Sequence, residues 1–132
     1  MLPILHLNGY KISNPTILSR ISEEELVSYF KGMGWDPIIV AGDEAEVMHK
    51  EMAKALDKCI EKIKKIQIDA RENDKVSRPM WPMVILRTPK GWTGPKEVDG
   101  KEIEGTFRAH QIPLIVDNEH KKNLNLLQEM NI

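Results

Sequence analysis

The sequence predicts a three-layer α/β fold built on a parallel sheet. Three observations carry this. Short apolar runs at residues 2–7, 37–41 and 81–86 alternate with longer amphipathic stretches. The first run has almost no polar residue, as suits a parallel strand buried on both faces. Strand and helix signals alternate in the order strand, helix, strand, helix, strand, which favours parallel strands joined by crossovers.

Residues 2–7 read as the first strand, and Asn8-Gly9-Tyr10 as a tight exit from its carboxyl end. Met1 leads straight into this run, with no signal peptide before it, so the chain reads as starting inside a sheet. Asn14-Pro15 marks a loop. Ser22 and Glu25 fit a capping box, each side chain satisfying the other's free backbone N–H. Leu26, Phe30 and Met33 then share one helix face, and Gly32 and Gly34 end the helix. Residues 37–41 form the second strand. Gly42-Asp43 turns into a long helix over residues 44–70, with Asp43 as N-cap and Val47, Met52, Leu56, Cys59, Ile63 and Ile66 at helical spacing.

Residues 71–78 are polar and precede Pro79, and residues 81–86 give the third strand. Residues 87–113 lack periodicity and hold four glycines and three prolines. Asp99-Gly100, between Glu97-Val98 and Glu102-Ile103, signals a small hairpin. A last helix is expected over residues 118–130, with Leu124, Leu127 and Met130 facing the core.

The 132 residues suit one domain, able to bury roughly two thirds of its unfolded surface. With 41% hydrophobic and 30% charged residues the composition is ordinarily globular. A net charge of −1 argues against nucleic acid or an anionic membrane surface as partner. No apolar run approaches the roughly 18 residues of a membrane span. A single cysteine, Cys59, excludes an intramolecular disulfide and, on an apolar helix face, points to a buried thiol and a cytoplasmic setting.

In open α/β sheets ligands bind beyond the carboxyl ends of the strands. Residues 6–12 and 87–113 lie there. A loop as long as the second is either functional or disordered, and Trp92, Phe107 and Ile112 argue against disorder. Asn8 could offer magnesium a hard amide oxygen, with Gly9 turning the backbone so that the Tyr10 carbonyl joins it. On spacing alone, an Asx-turn is the more ordinary role for Asn8. Lys90 could approach a phosphate as a point charge, although solvated loop lysines are commoner. His110 could move a proton, but so could His6, His49 and His120, and only its place on the long loop selects it. His6, inside the first apolar run, reads as a satisfied core histidine. Dinucleotide, Walker-type, zinc-spaced and nucleophile-elbow motifs are missing from the sequence.

Three stretches together resemble phosphoketolases: LPILHLNGYKI at residues 2–12, WPMVILRTPKGWTGPK at 81–96 and GTFRAHQIPL at 105–114. TPKGWTGP at 88–95 is the most specific, and RISEEEL at 20–26 extends the likeness across the chain. Gly105-Thr106 with His110 and Pro113-Leu114 is also similar to a more distant transketolase pattern. The resemblance implies a piece of the N-terminal cofactor-binding domain, with a thiamine-diphosphate-binding fold, across residues 1–132. That family splits a ketose phosphate with inorganic phosphate to release acetyl phosphate. By resemblance, Asn8 and the Tyr10 carbonyl would hold magnesium, with Gly9 completing the cofactor turn. His110 and Lys90 would serve as catalytic groups beside the thiazolium, His110 also touching the cofactor.

The family's Gly-Asp-Gly type magnesium motif and its activating glutamate do not occur here, so the isolated chain is expected to be inactive. Two other readings stay open: a non-catalytic α/β module, or a small enzyme using Lys90 and His110 for another reaction. A chain cut at a central strand is also expected to self-associate through its exposed edge.

Overall fold

The computed structural model describes residues 1–72, 77–111 and 114–130. They fall into two compact units. The first comprises Met1–Leu7 and Ile21–Arg87, the second Asn8–Arg20 and Thr88–Ile132.

The first unit is a three-stranded parallel sheet carrying two helices. Its strands are β1 (Ile4–Leu7), β4 (Trp35–Ala41) and β5 (Trp81–Arg87), in the order β1-β5-β4. Helices α1 (Glu23–Gly32) and α2 (Ala45–Glu72) connect them; α1 packs on β4, and α2 on β4 and β5. The α/β class and the parallel pairing agree with the sequence, and all three strands fall at the expected runs. The core centres on β5. Val84 and Ile85 are completely buried, and each such side chain contributes about 1.5–3 kcal/mol relative to exposure.

Pro82 stands in this central strand, where a proline removes a ladder donor. The Val84 N–H donates to the Pro3 carbonyl, and the Trp81 N–H to the Gly34 carbonyl. Donors alternate sides along a strand, so the missing N–H of Pro82 faces the β1 side two residues before Val84. Pairing with β1 begins only at Ile4↔Val84. The proline therefore removes no bond from the ladder.

The first strand differs from its reading. It lies at the sheet edge, with Ile4 51% exposed and His6 exposed. A nearly all-apolar run suits burial on both faces, but among the described residues only β5 has sheet neighbours on both sides. His6 is accordingly not a core histidine here.

The Ser22 cap is as expected. The Ser22 N–H donates to Glu25 Oε2 at 2.8 Å, and the Glu25 N–H to Ser22 Oγ at 3.2 Å. The backbone hydrogen bond from Ser22 holds the Glu25 carboxyl below the usual range. A folded-state pKa below the unfolded one means that this contribution is complete above the ordinary carboxylate range. It is lost as pH falls through the lowered value. Ser22→Ala should cost about 0.5–2 kcal/mol of stability. Glu25→Gln, which removes the titrating carboxylate that the Ser22 N–H holds, should flatten the acid limb of the stability curve, measured by urea denaturation across acidic pH. An unchanged curve would show that the box contributes nothing.

Helix α2 spans nearly the expected range. Its buried positions are Met48, Ala55 and Cys59 rather than Val47, which is 54% exposed. Burial pushes the Cys59 thiol up, and it is the buried thiol that the sequence suggested.

The second unit has little regular structure. Strands β2 (Tyr10–Lys11) and β3 (Asn14–Pro15) form one antiparallel hairpin, and β6 (Glu97–Val98) and β7 (Lys101–Glu102) another. In the latter, Asp99 and Gly100 both have positive φ (51° and 71°), as a type I′ turn requires. The Asp99-Gly100 signal was therefore sound, with the second strand starting one residue earlier than read.

Helix α3 (Lys121–Glu129) starts later than expected, and its apolar face is not core. Leu124 is 45% and Leu127 41% exposed, while Asn123 is buried. The Asn123 amide donates to the Ile115 carbonyl at 2.8 Å, which satisfies the polar group on the inner face. Asp117 starts this segment by accepting from the His120 ring and backbone, and the ring hydrogen bond holds its carboxyl low.

Candidate functional site

All the residues singled out for chemistry, Asn8, Gly9, Tyr10, Lys90 and His110, fall in the second unit. Chain connectivity brings Leu7 into Asn8 and Arg87 into Thr88, so both segments follow directly from paired parallel strands.

The first segment is a turn and a hairpin. Asn8 Oδ1 accepts from the Tyr10 N–H at 3.1 Å, which is the Asx-turn expected from spacing. Gly9 has φ +91, a conformation that favours glycine, and its carbonyl accepts from the Thr16 N–H at 3.0 Å. That bond flanks the Tyr10↔Pro15 pair and places Tyr10 at a non-hydrogen-bonded position. The Tyr10 carbonyl therefore points off the ladder. Ile12 and Ser13 make the tip, with Ile12 at φ 55.

The second segment winds through two successive turns. The Trp92 N–H donates to the Pro89 carbonyl at 3.2 Å, with Gly91 at φ 74. The Gly94 N–H then donates to the Gly91 carbonyl at 2.8 Å, with Thr93 at φ 72. Each places its positive φ at the third residue, as in a type II turn. These turns bury Lys90, which is only 7% exposed. Its Nζ donates to the Ile12 carbonyl at 3.0 Å. The solvated loop lysine that spacing suggested is thus replaced by a buried ammonium tied to the hairpin.

The third segment folds back on the second. The Gly105 N–H donates to the Lys90 carbonyl at 2.7 Å. Thr106 Oγ1 accepts from the Arg108 N–H at 3.2 Å and starts a short 3-10 helix, Phe107–His110. Ala109 abuts Gly91 so closely that a Cβ on Gly91 would lie 2.5 Å from the Ala109 Cβ. His110 ends the helix, exposed. Ile112 and Pro113, part of the quoted motif, lie outside the described residues.

The structure therefore ties together the loop parts of the three stretches, residues 8–12, 88–96 and 105–111, within the second unit. Among the four histidines, His6 and His49 belong to the first unit, and His120 is engaged with Asp117 at 2.7 Å. Within the second unit, His110 follows Ala109, whose methyl abuts Gly91 next to Lys90. Ile12 was missed by the sequence reading. No propensity places a β-branched residue at positive φ, so only the fold exposes its carbonyl as the partner of Lys90.

As magnesium donors, Asn8 Oδ1 and the Tyr10 carbonyl fit in kind but not in number. The amide oxygen keeps a second lone pair after accepting from Tyr10. Two oxygens are still short of the near-octahedral shell magnesium demands. Among the described residues, no group of three or more His, Cys, Asp or Glu side chains could hold a metal ion, and no helix is long and apolar enough to cross a membrane.

A three-stranded parallel sheet with helices packed on it, its strands β1 and β5 running on into a turn-rich unit, makes the chain an α/β protein. It belongs to the family described as the XFP N-terminal domain, whose model matches residues 1–131. It is 62% identical over 129 residues to a probable phosphoketolase of Clostridium acetobutylicum. It is 59% identical over 127 residues to probable phosphoketolase 2 of Lactiplantibacillus plantarum, and 56% identical over 127 residues to the xylulose-5-phosphate phosphoketolase of Lactiplantibacillus pentosus. These matches cover 96–98% of this chain but only 16% of each relative's length.

Proposed function

We propose that this chain is part of the cofactor-binding domain of a phosphoketolase, which cleaves a ketose phosphate with inorganic phosphate to give acetyl phosphate and an aldose phosphate. One observation carries the reading: the chain is 62% identical to a probable phosphoketolase over 98% of its own length. The hydrogen bonds that tie the loop parts of the family-like stretches together, from Lys90 Nζ to the Ile12 carbonyl and from the Gly105 N–H to the Lys90 carbonyl, support it. Xylulose 5-phosphate enters as a substrate through the name of the Lactiplantibacillus pentosus relative.

Thiamine diphosphate with magnesium would supply the carbanion chemistry of such an enzyme. In this reading Asn8, with the Tyr10 carbonyl, contributes two oxygens to the magnesium, and Gly9 lets the backbone turn toward the cofactor. Lys90 holds fixed positive charge beside an anionic or hydroxyl-bearing ligand. His110 donates to, or moves a proton at, a substrate hydroxyl. The setting is cytoplasmic. The edge strand β1 and the exposed Leu124 and Leu127 fit self-association of the chain by itself.

The test is a chimera in which this chain replaces the matching 129 residues of the Clostridium acetobutylicum relative. Acetyl phosphate formation near the parental rate is expected. A folded, cofactor-loaded chimera without activity would reject the reading and favour a non-catalytic module.

The 132-residue chain by itself should bind thiamine diphosphate and magnesium weakly, because it brings two of the oxygens that an octahedral ion needs. Calorimetry should show no saturation in the micromolar range. Micromolar affinity would mean that the ligand set is more complete than these residues indicate.

A further inference from the structure

Lys90 and Ile12 together raise a question that the proposed chemistry does not answer. A lysine is almost never fully buried without a partner, and here the partner is a main-chain carbonyl 78 residues away in sequence. That carbonyl belongs to a β-branched residue at φ 55. Such residues are genuine outliers at positive φ, and the strain persists only where surrounding structure enforces it. Ile12 is itself 57% exposed, so packing of its side chain does not explain the conformation. What the strained turn does achieve is to present the Ile12 carbonyl to the Lys90 Nζ at 3.0 Å.

We propose that Ile12 is a positioning residue whose carbonyl fixes the Lys90 ammonium for the ligand. An ammonium has three donors. One spent on Ile12 fixes the nitrogen while leaving donors and the full positive charge for an anionic or hydroxyl ligand. The same bond ties the Lys90 turn to the hairpin carrying Tyr10, so the lysine and the backbone oxygen are positioned as one piece. Backbone conformation at residue 12 is therefore what matters, and side-chain identity is secondary. The inference rests on the proposed phosphoketolase reading for the ligand, but the geometry is measurable without turnover.

Acylation of lysines in the native 132-residue chain, followed by peptide mass spectrometry, reads the position of Lys90. The Lys90 amine should react about tenfold or more slowly than Lys96, as burial with a charge-assisted hydrogen bond dictates. Ile12→Gly accepts positive φ and keeps the carbonyl, so Lys90 should stay slow. Ile12→Pro fixes φ near −65° and should bring Lys90 toward the Lys96 rate. The amide of Ile103, which donates to the Lys96 carbonyl at 2.9 Å, serves as an internal control for folding of the unit.

If Ile12→Pro unfolds the unit, Lys90→Met decides. The Thr16 amide should then exchange about tenfold faster, with Ile103 unchanged and Lys90→Arg restoring protection, as a carbonyl that lost a charged donor predicts. Equal labelling of Lys90 and Lys96 in the unaltered chain would overturn the proposal. So would a slow Lys90 in folded Ile12→Pro, or an unchanged Thr16 amide in Lys90→Met. An inactive chimera would reject the phosphoketolase reading while leaving these labelling and exchange results intact.

Discussion

In the active chimera, His110→Ala is expected to lower turnover about a hundredfold or more, the usual worth of a positioned acid–base group, while leaving thermal stability nearly unchanged. The two halves of this expectation have separate causes. His110 ends a 3-10 helix that is started by Thr106 and anchored by Ala109 against Gly91. Its side chain is exposed and lends little to a core, so the fold should tolerate its loss. The chemistry should not. Loss of a hydroxyl from a sugar-derived intermediate develops charge on the departing oxygen, and an imidazole can supply the proton or a hydrogen bond. Such assistance counts most once a bound ligand has excluded water. His110→Gln keeps a hydrogen-bond donor but cannot transfer a proton, so it separates the two roles. Acetyl phosphate formation at saturating thiamine diphosphate, beside a melting curve for each variant, measures both. Near-normal turnover of His110→Ala would return this residue to the surface.

How far the sequence revealed this arrangement depends on what kind of interaction decided each element. The parallel sheet was legible because burial sets its pattern. The runs of β4 and β5 are apolar because β4 packs against α1 and α2, and β5 against α2. The Ser22 box and the Asp99-Gly100 turn were legible because local backbone chemistry decides them within four residues. The apolar face of α3 was misread for the opposite reason. Periodicity marks a face as apolar but not what lies against it, and here Asn123 takes the inner position while Leu124 and Leu127 stay exposed.

Single-residue reasoning gave Asn8 its turn correctly and left Lys90 in solvent wrongly. The difference is range. The Asn8 partner is two residues away, whereas the partner of Lys90 is a carbonyl in a separate segment. The site residues were selected by resemblance to a family, because a long-range backbone acceptor leaves no mark on local composition.

Gly91→Ala should be the most disruptive single-methyl change in the second unit, costing about 2–5 kcal/mol there. Two independent penalties add. At φ 74, a left-handed conformation costs a residue with a Cβ roughly 1–2 kcal/mol. The new Cβ would also sit 2.5 Å from that of Ala109, and overpacking of this kind costs about 1–3 kcal/mol. Neither side yields easily. Gly91 occupies the third position of the turn closed by Trp92 on Pro89 and also opens the turn closed by Gly94. The Ala109 methyl is carried on a backbone held by the Thr106 cap.

Amide exchange on the 132-residue chain can resolve the effect by unit. Gly105 and Thr106 should lose protection, while Val84, whose N–H donates within the sheet unit, should hardly change. The double variant Gly91→Ala/Ala109→Gly removes the collision but keeps the strained φ, so it should recover the steric share and leave about 1–2 kcal/mol unrecovered. Full recovery would show that φ strain is negligible, and no recovery would show that the packing contact is. Because Gly91 follows Lys90 and Ala109 precedes His110, the collision acts where the two candidate groups are joined. In the chimera, activity should therefore fall further than stability does, and the double variant should restore a part of both.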